Sequence, residues 1–349
     1  MCLIARKDGD LRSFVPFSLF AELNIVNPVT QVFAMSEKRI TVYLPKGETT
    51  SLSSSIYKGV MENGRRYQTM REGAYWYECI SQPCWSPADE KQFESYEAGH
   101  LVNVLLDSES PNPLFQAPIK NPKHVLDMGT GRGSWAIDVA DMFPDAIVRG
   151  VDLFPPPVNW VPPNCMMEVD DVLQEWTWRE PFDLIHLCQM MGSFTIEQWD
   201  MIWKRCYDNL EPGGWIEQLE GNPRVRCHPV TLGDWMKESL EKAGFVDVQE
   251  KIYKWPIGPW AKDPILKEAG RLHYHQWMSG MEGWAMFFLT KWAVPEPWTK
   301  QEVDVLLAKV RAEIKNPNIH MYQVARRVWG RKPTAEEEAA RTKVKAEQY

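Results

Sequence analysis

HVLDMGTGRGSWAIDVADMFPDAIVRGVD, residues 124–152, is the stretch whose reading decides the fold. HVLDM (124–128) is a short apolar run that ends in a glycine-rich turn. SWAIDVADMF (134–143) suits a helix and stops before Pro144, whose ring cannot continue one. AIVRGVD (146–152) is the next strand. Strand, turn, helix and strand in this order form one unit of a parallel α/β sheet. Gly129, Gly131 and Gly133 occupy the turn, where glycine permits positive φ and a close approach of backbone to ligand. In an open α/β sheet ligands lie at the carboxyl ends of the strands, where this turn falls. Asp152 ends the second strand, 19 residues after Gly133, and a carboxylate there can accept both hydroxyls of an adenosine ribose.

The glycine spacing, G-x-G-x-G, is not the G-x-G-x-x-G of dinucleotide sites. Asp127, two residues before the first glycine, sharpens the choice. A carboxylate there sits badly beside a pyrophosphate and well near an ammonium, directly or through water. The expected cofactor is therefore S-adenosylmethionine, itself a sulfonium cation. Asp170 and Asp171 end the third strand, CMMEVDD (165–171). One of them can accept the adenine amino group, with Asp171 preferred, while the other caps the turn that follows.

The alternation continues through a strand at PFDLIHL (181–187), a helix at 196–210 and a strand at WIEQLE (215–220). A helix at 230–243, capped by Gly244, leads to a strand at 245–255. Helices follow at 262–279 and 299–315, then a last strand at 321–330. Upstream, 88–107 carries Phe93, Tyr96, Leu101, Val104 and Leu105 at helical spacing, and the four prolines of 108–122 make a loop. Such alternation predicts a largely parallel sheet with helices on both faces.

A formal charge of −8 argues against a broad nucleic-acid or anionic-membrane surface. No apolar run approaches the length of a membrane helix, and residues 13–21 are too short and interrupted by Pro16. Seven cysteines at irregular spacing, without a CxxC, suit reduced thiols in an intracellular protein better than a disulfide framework or zinc site. The histidines show no metal spacing, so no metal is expected.

ENGRRYQ (62–68), the glycine motif extended as GSWAIDVAD, WVPPN (160–164), DDVLQEWTW (170–178), LEPGGWIEQLE (210–220), AGFVDV (243–248), PIGPWAKD (256–263) and GRKP (330–333) together resemble the fungal LaeA-like, or UMTA-type, methyltransferases. The resemblance runs from about residue 56 to 333. It implies a class I methyltransferase fold, a Rossmann-like doubly wound and mostly parallel seven-stranded sheet behind an N-terminal extension. It also implies a secondary-metabolism setting, either tailoring a small molecule or regulating a pathway from the nucleus through protein partners. The expected organisation is a poorly ordered arm at 1–55, a cap at 56–107, the methyltransferase domain at 108–333 and a solvated charged tail at 334–349. Two departures stand out. Arg132 occupies a position where the family has a small residue, pointing to solvent or pairing with the cofactor carboxylate. The 221–242 stretch, which helps cover the acceptor pocket in the family, is short.

His186 ends the fourth strand, which in this fold points at the reactive methyl, and a neutral imidazole there can act as a base. The competing role is a hydrogen-bonded residue that shapes the pocket. Glu220 is the better placed of two glutamates to reach the pocket, and Glu217 suits solvation. Within the resemblance, the segment Arg65-Arg66-Tyr67 folds over the cofactor. A guanidinium, that of Arg66 foremost, can then hold the methionyl carboxylate, against ion pairing with nearby acids as the alternative. Trp160 and Trp176 are the pocket candidates among the tryptophans, and Trp135 carries no assigned role. The expected partner is a small-molecule acceptor, with no nucleic acid and no membrane. The expected location is the cytoplasm, or the nucleus under the regulatory reading, though no basic nuclear-import cluster stands out.

Overall fold

The computed structural model describes residues 59–68, 86–190, 192–222, 232–293 and 296–347. The expected arm at 1–55, residues 56–58 and 69–85, and residues 223–231 of the short 221–242 stretch lie outside those residues. Among the described residues there are nine strands: β1 (Val60–Glu62), β2 (Arg65–Tyr67), β3 (His124–Met128), β4 (Ile147–Asp152), β5 (Cys165–Val169), β6 (Phe182–Cys188), β7 (Leu210–Asn222), β8 (Val246–Pro256) and β9 (Tyr322–Arg331). The helices of the described residues are α1 (Glu90–Leu106), α2 (Ser134–Met142), α3 (Ile196–Asn209), α4 (Leu232–Lys242), α5 (Pro264–Trp292), α6 (Lys300–Lys315) and α7 (Ala335–Glu347).

The main sheet has seven strands in the order β5-β4-β3-β6-β7-β9-β8. β9 is antiparallel to both neighbours, and every other pairing is parallel. This is the class I methyltransferase architecture. Val125, Leu126 and Met128 of β3 are each fully buried, as a central strand covered on both faces requires. Chain order reverses at β3, which feeds β4 on one side and faces β6 on the other. Open α/β sheets bind ligands at such a switch point, so topology independently selects the glycine turn.

Local chemistry explains most boundaries. Thr195 and Gln198 form a capping box that starts α3, and Trp199, Ile202, Trp203 and Cys206 are its buried face. Gly244 takes φ +106° just past the end of α4, as a helix stop requires. Asp89 caps α1 through Gln92 N–H. The buried residues of that helix are Gln92, Phe93, Ser95, Ala98 and Val102, whereas Leu101 is exposed, so the face differs from the one its apolar spacing suggests.

Two further elements depart from the reading by pattern. α5 continues to Trp292, past the Ser279-Gly280 pair, because Gly280 packs against α1. Ser95 Oγ donates to the carbonyl of Gln276 at 2.9 Å, and a Cβ on Gly280 would lie 2.5 Å from Ser95 Oγ. The charged end is also helical rather than a free tail. Arg331 grips Glu337 of α7 through two hydrogen bonds, and Glu337 N–H donates to Thr334 Oγ1.

α5 and α6 lie between β8 and β9 in sequence; α5 packs on α1, and α6 packs on α5. His273 of α5 is buried there, with Nδ1 donating to the Pro256 carbonyl and Nε2 accepting from Trp277 Nε1. Burial pulls its pKa down to about 4. The unfolded chain protonates His273 below about pH 6.5, and the folded chain resists until about pH 4. Between those values the unfolded state binds more protons, so stability falls as pH falls. Urea unfolding should show His273 adding a slope approaching about 1.4 kcal/mol per pH unit in that window. His273→Asn should flatten the profile there, and an unchanged slope would refute the assignment.

Candidate functional site

The turn after β3 is built by its glycines. Gly129, Gly131 and Gly133 take φ +71°, +58° and +88°, conformations that side chains with a Cβ resist. The N–H groups of Gly129 and Thr130 donate to the Val151 carbonyl at 2.8 and 3.0 Å, folding the turn back onto β4. A Cβ on Gly129 would lie 2.0 Å from Met190 Sδ, and one on Gly131 would lie 3.3 Å from the Tyr96 ring. Met190 and Tyr96 therefore frame the turn, and the sequence reading had neither.

Asp152 is half-buried at the end of β4. Its Oδ2 accepts Gly131 N–H at 2.8 Å, and Oδ1 accepts Phe154 N–H at 3.3 Å. Burial raises its pKa above the ordinary carboxylate value, opposed by those N–H donors. Asp152 thus stands at the turn itself, where an adenosine ribose would be met.

Asp127 is 3% exposed and held from both sides within the chain. Thr130 Oγ1 donates to its Oδ2 at 2.6 Å, and His186 Nδ1 lies 2.8 Å from its Oδ1. The parallel pairing of β3 and β6 places Asp127 directly beside His186. Opposite a carboxylate, Nδ1 is the protonated nitrogen of that ring. Asp127 therefore lies beneath the turn, not on an open lip where it would touch an ammonium directly.

His186 does not have the setting of a general base. It is 2% exposed, and Trp135 stacks on its ring with centroids 3.8 Å apart and planes at 7°. An acceptor cannot reach an imidazole enclosed in this way, so the pocket-shaping alternative fits and the base does not. Trp135, to which the sequence assigned nothing, is the residue that closes it in.

Asp171 Oδ1 accepts Leu173 N–H at 2.9 Å and so caps the turn after β5. Asp170 is the more exposed of the two and accepts Asp171 N–H at 2.7 Å. The cap thus falls to the residue preferred for adenine, the reverse of the expected division.

The two arginines of β2 point to different places. Arg65 is 5% exposed and makes a two-pronged pair with Asp89, both contacts at 2.7 Å. Arg66 donates from Nε to the Ala88 carbonyl, and its guanidinium lies 5.0 Å over the Phe154 ring, two residues beyond Asp152. Arg66 is thus at the rim of the β4 end, and Arg65 anchors the hairpin. Asn63 and Gly64, at φ 50° and 82°, make its two-residue turn. An Asn-Gly pair between residues 62 and 65 was the available signal. Arg132 reaches toward α1, within 3.4 Å of Glu90 and 3.6 Å of Glu97.

Glu217 and Glu220 are each 0% exposed. Glu220 accepts Met190 N–H at 3.0 Å and so positions the residue that packs on Gly129. Glu217 is no solvated residue. Its Oε2 accepts the N–H groups of Gln116 and Ala117, and its Oε1 takes Arg327 Nη1. Arg327 also bonds Asp107 at 2.9 Å, and Asp107 receives Lys251 at 2.6 Å and Tyr253 Oη at 3.0 Å. Burial acts to lower the Arg327 pKa, but attraction to the facing carboxylates outweighs it and the net shift is upward. Of the tryptophan candidates, Trp160 is 41% exposed, and Trp176 donates to the Val172 carbonyl and packs on the core beside α3.

Three thiols fall among the described residues, Cys165, Cys188 and Cys206, and all are free. No helix among the described residues is long and apolar enough to cross a membrane.

A methyltransferase-domain family matches residues 97–256. The methyltransferase pytC of Aspergillus terreus is 32% identical over 299 residues, covering 78% of this chain and 87% of that protein. The secondary metabolism regulator LAE1 of Cochliobolus heterostrophus is 31% identical, over 75% of this chain and 91% of its own. The protein-methionine methyltransferase laeA of Emericella nidulans is 30% identical, over 78% and 76% respectively.

Proposed function

This chain belongs to the fungal LaeA-like family of S-adenosylmethionine-dependent methyltransferases, and from that premise we propose that it tailors a small molecule in a secondary-metabolite pathway. The observation that carries the enzymatic part is the glycine turn at the β3–β4 switch point, with the Asp152 carboxylate at its edge. The fit to the cofactor rests on the half-buried Asp152 carboxylate beside that turn, an acceptor suited to ribose hydroxyls; Met190 and Met167 already stand where a Cβ on Gly129 or Gly133 would lie. The cofactor supplies a sulfonium-bound methyl group for in-line displacement at carbon.

The chain's own residues divide the work as follows. Asp152 accepts the ribose hydroxyls with the lone pairs left by Gly131 and Phe154 N–H. Asp170, with Asp171 steadying the turn, meets the adenine amino group. Arg66 holds the methionyl carboxylate from the rim above Phe154. Asp127, oriented by Thr130 and His186, sets a negative field beneath the ammonium. Much of the rate then comes from holding the acceptor in line with the methyl. The β1–β2 hairpin, α1, α5 and α6 form the cap over this end of the sheet.

His186 is here a positioning residue for Asp127. His186→Asn should weaken cofactor binding about tenfold, as expected for loss of one charge-assisted hydrogen bond. The pH profile of kcat should keep its shape. A profile that loses its acid-side limb, with cofactor affinity intact, would restore the base reading.

The tailoring reading is supported by pytC, a methyltransferase by name, and by the absence of a basic cluster in a chain of charge −8. It places the protein in the cytoplasm. Regulation from the nucleus through protein partners is the second reading, favoured by the regulator LAE1 at 31% identity. Metabolite profiling of a deletion strain separates them. Accumulation of one unmethylated precursor supports tailoring, and loss of many unrelated metabolites supports regulation.

A further inference from the structure

A groove of about 840 Å³ lies in the cap, between the loop after β8, the first half of α5 and the end of α6. That volume is in the range of drug-sized ligand sites. Its walls are made by the backbone as much as by side chains. Gly258 N–H donates to the Gly270 carbonyl at 2.9 Å, and Ile257 N–H donates to Met321 at 2.8 Å. A Cβ on Gly270 would lie 2.2 Å from the Gly258 carbonyl oxygen, so loop and helix meet as closely as backbones allow. One wall is aromatic: Trp260 stacks on His320 with centroids 5.1 Å apart and planes at 16°, and the indole N–H is fixed on the Met321 carbonyl.

The charges lining the groove are of one sign. Lys267, Arg271 and Lys315 face it, and among the described residues no aspartate or glutamate does, in a chain whose net charge is −8. Arg271 is partly neutralised by Glu268, one turn back on the same helix. Lys267 and Lys315 make no ion pair among the described residues. Ile257, Ile314 and Ile319 supply apolar floor between them. Two unpaired ammonium groups over an apolar and aromatic cleft make a recognisable host. They suit a molecule with a hydrophobic ring system and an acidic group.

This groove is not the methyl-transfer site. It opens beside β8, an edge strand, while the glycine turn follows β3. Four strand spacings separate them, about 19 Å at roughly 4.8 Å each. We propose that the groove is a second binding site, for a small amphipathic anion in which a ring-bearing apolar body carries one carboxylate, sulfonate or phosphate. Its occupant is bound and not methylated there. Because α5 reaches from this groove to Phe287, which packs on Tyr67 of β2, an occupant steadies the same helix that backs the hairpin.

The test uses the full chain and 8-anilinonaphthalene-1-sulfonate, an aromatic anion whose fluorescence rises in apolar surroundings. One saturable site is expected, undiminished by saturating S-adenosylmethionine. The neutral analogue N-phenyl-1-naphthylamine should bind at least tenfold more weakly. The double variant Lys267→Glu/Lys315→Glu should lose at least tenfold in probe affinity, with S-adenosylmethionine affinity and circular dichroism unchanged. Equal probe affinity in wild type and the charge-reversed variant would overturn the proposal. So would displacement of the probe by S-adenosylmethionine, which would put it at the glycine turn. If the double variant misfolds, Lys267→Gln alone must still lower probe affinity severalfold.

Discussion

Arg327→Leu should lower the free energy of unfolding by about 3–5 kcal/mol, the range for removing one partner of a buried ion pair. The reason is geometric. Arg327 is 1% exposed and faces two carboxylates, Asp107 at 1% and Glu217 at 0%. Without the guanidinium both anions stay buried, and Asp107 keeps the Lys251 ammonium and the Tyr253 hydroxyl. Glu217 keeps only the N–H groups of Gln116 and Ala117. The loop 114–117, the end of α1 and the β7–β9 pair meet at this cluster, so the loss should appear as one cooperative transition at lower urea. Arg327→Lys should recover part of the stability, since a single ammonium cannot reproduce the planar fork. A Leu variant within about 1 kcal/mol of wild type would show that the network contributes little, as exposed pairs do.

Asp152→Ala should weaken S-adenosylmethionine binding by about 100-fold or more, as the loss of charge-assisted hydrogen bonds implies. Two effects combine. The carboxylate that accepts the ribose hydroxyls is gone, and Gly131 N–H loses the acceptor that fixes the turn. Asp152→Asn separates them, because its amide oxygen can still accept from Gly131 while its NH₂ cannot accept from a hydroxyl. The expected order of affinity by calorimetry is wild type, then Asn, then Ala. An Ala variant within threefold of wild type would remove Asp152 from the site. If Asn and Ala bind equally, the charge at the ribose matters and the turn bond does not.

The glycine turn was legible from sequence because its constraint is local. Positive φ at residues 129, 131 and 133 can be met only cheaply by glycine, and the strand endings on either side are apolar runs of fixed length. A largely parallel seven-stranded sheet followed from alternation and from the family resemblance, whereas the order of its strands came from the pairings in the structure. The hairpin at 60–67 was legible too, through Asn63-Gly64, but its signal was read only as part of a longer match. α5 was cut short at Gly280 because a glycine is a helix stop in isolation and a packing notch when another helix lies on it.

What failed from sequence was the environment of each polar residue. His186 ends an apolar strand, and its place in the order of strands suggests an exposed base. Only the register that sets it against Asp127, and the helix that lays Trp135 on its ring, decide that it is enclosed. Glu217 reads as solvated until β9 runs beside it and brings Arg327 across diagonally. Asp170 and Asp171 are adjacent and alike, and their division of work depends on which one faces Leu173 N–H.

The sequence by itself determined the fold class and where the cofactor turn falls, because both rest on backbone conformation and short-range pattern. The tertiary structure decided which charges are buried and paired, which imidazoles are reachable, and where a cationic groove opens. Those properties depend on residues about 60 to 110 positions apart, such as Asp127 with His186 or Glu217 with Arg327. The sign and magnitude of an electrostatic interaction follow from distance and burial, which no spacing along the chain contains.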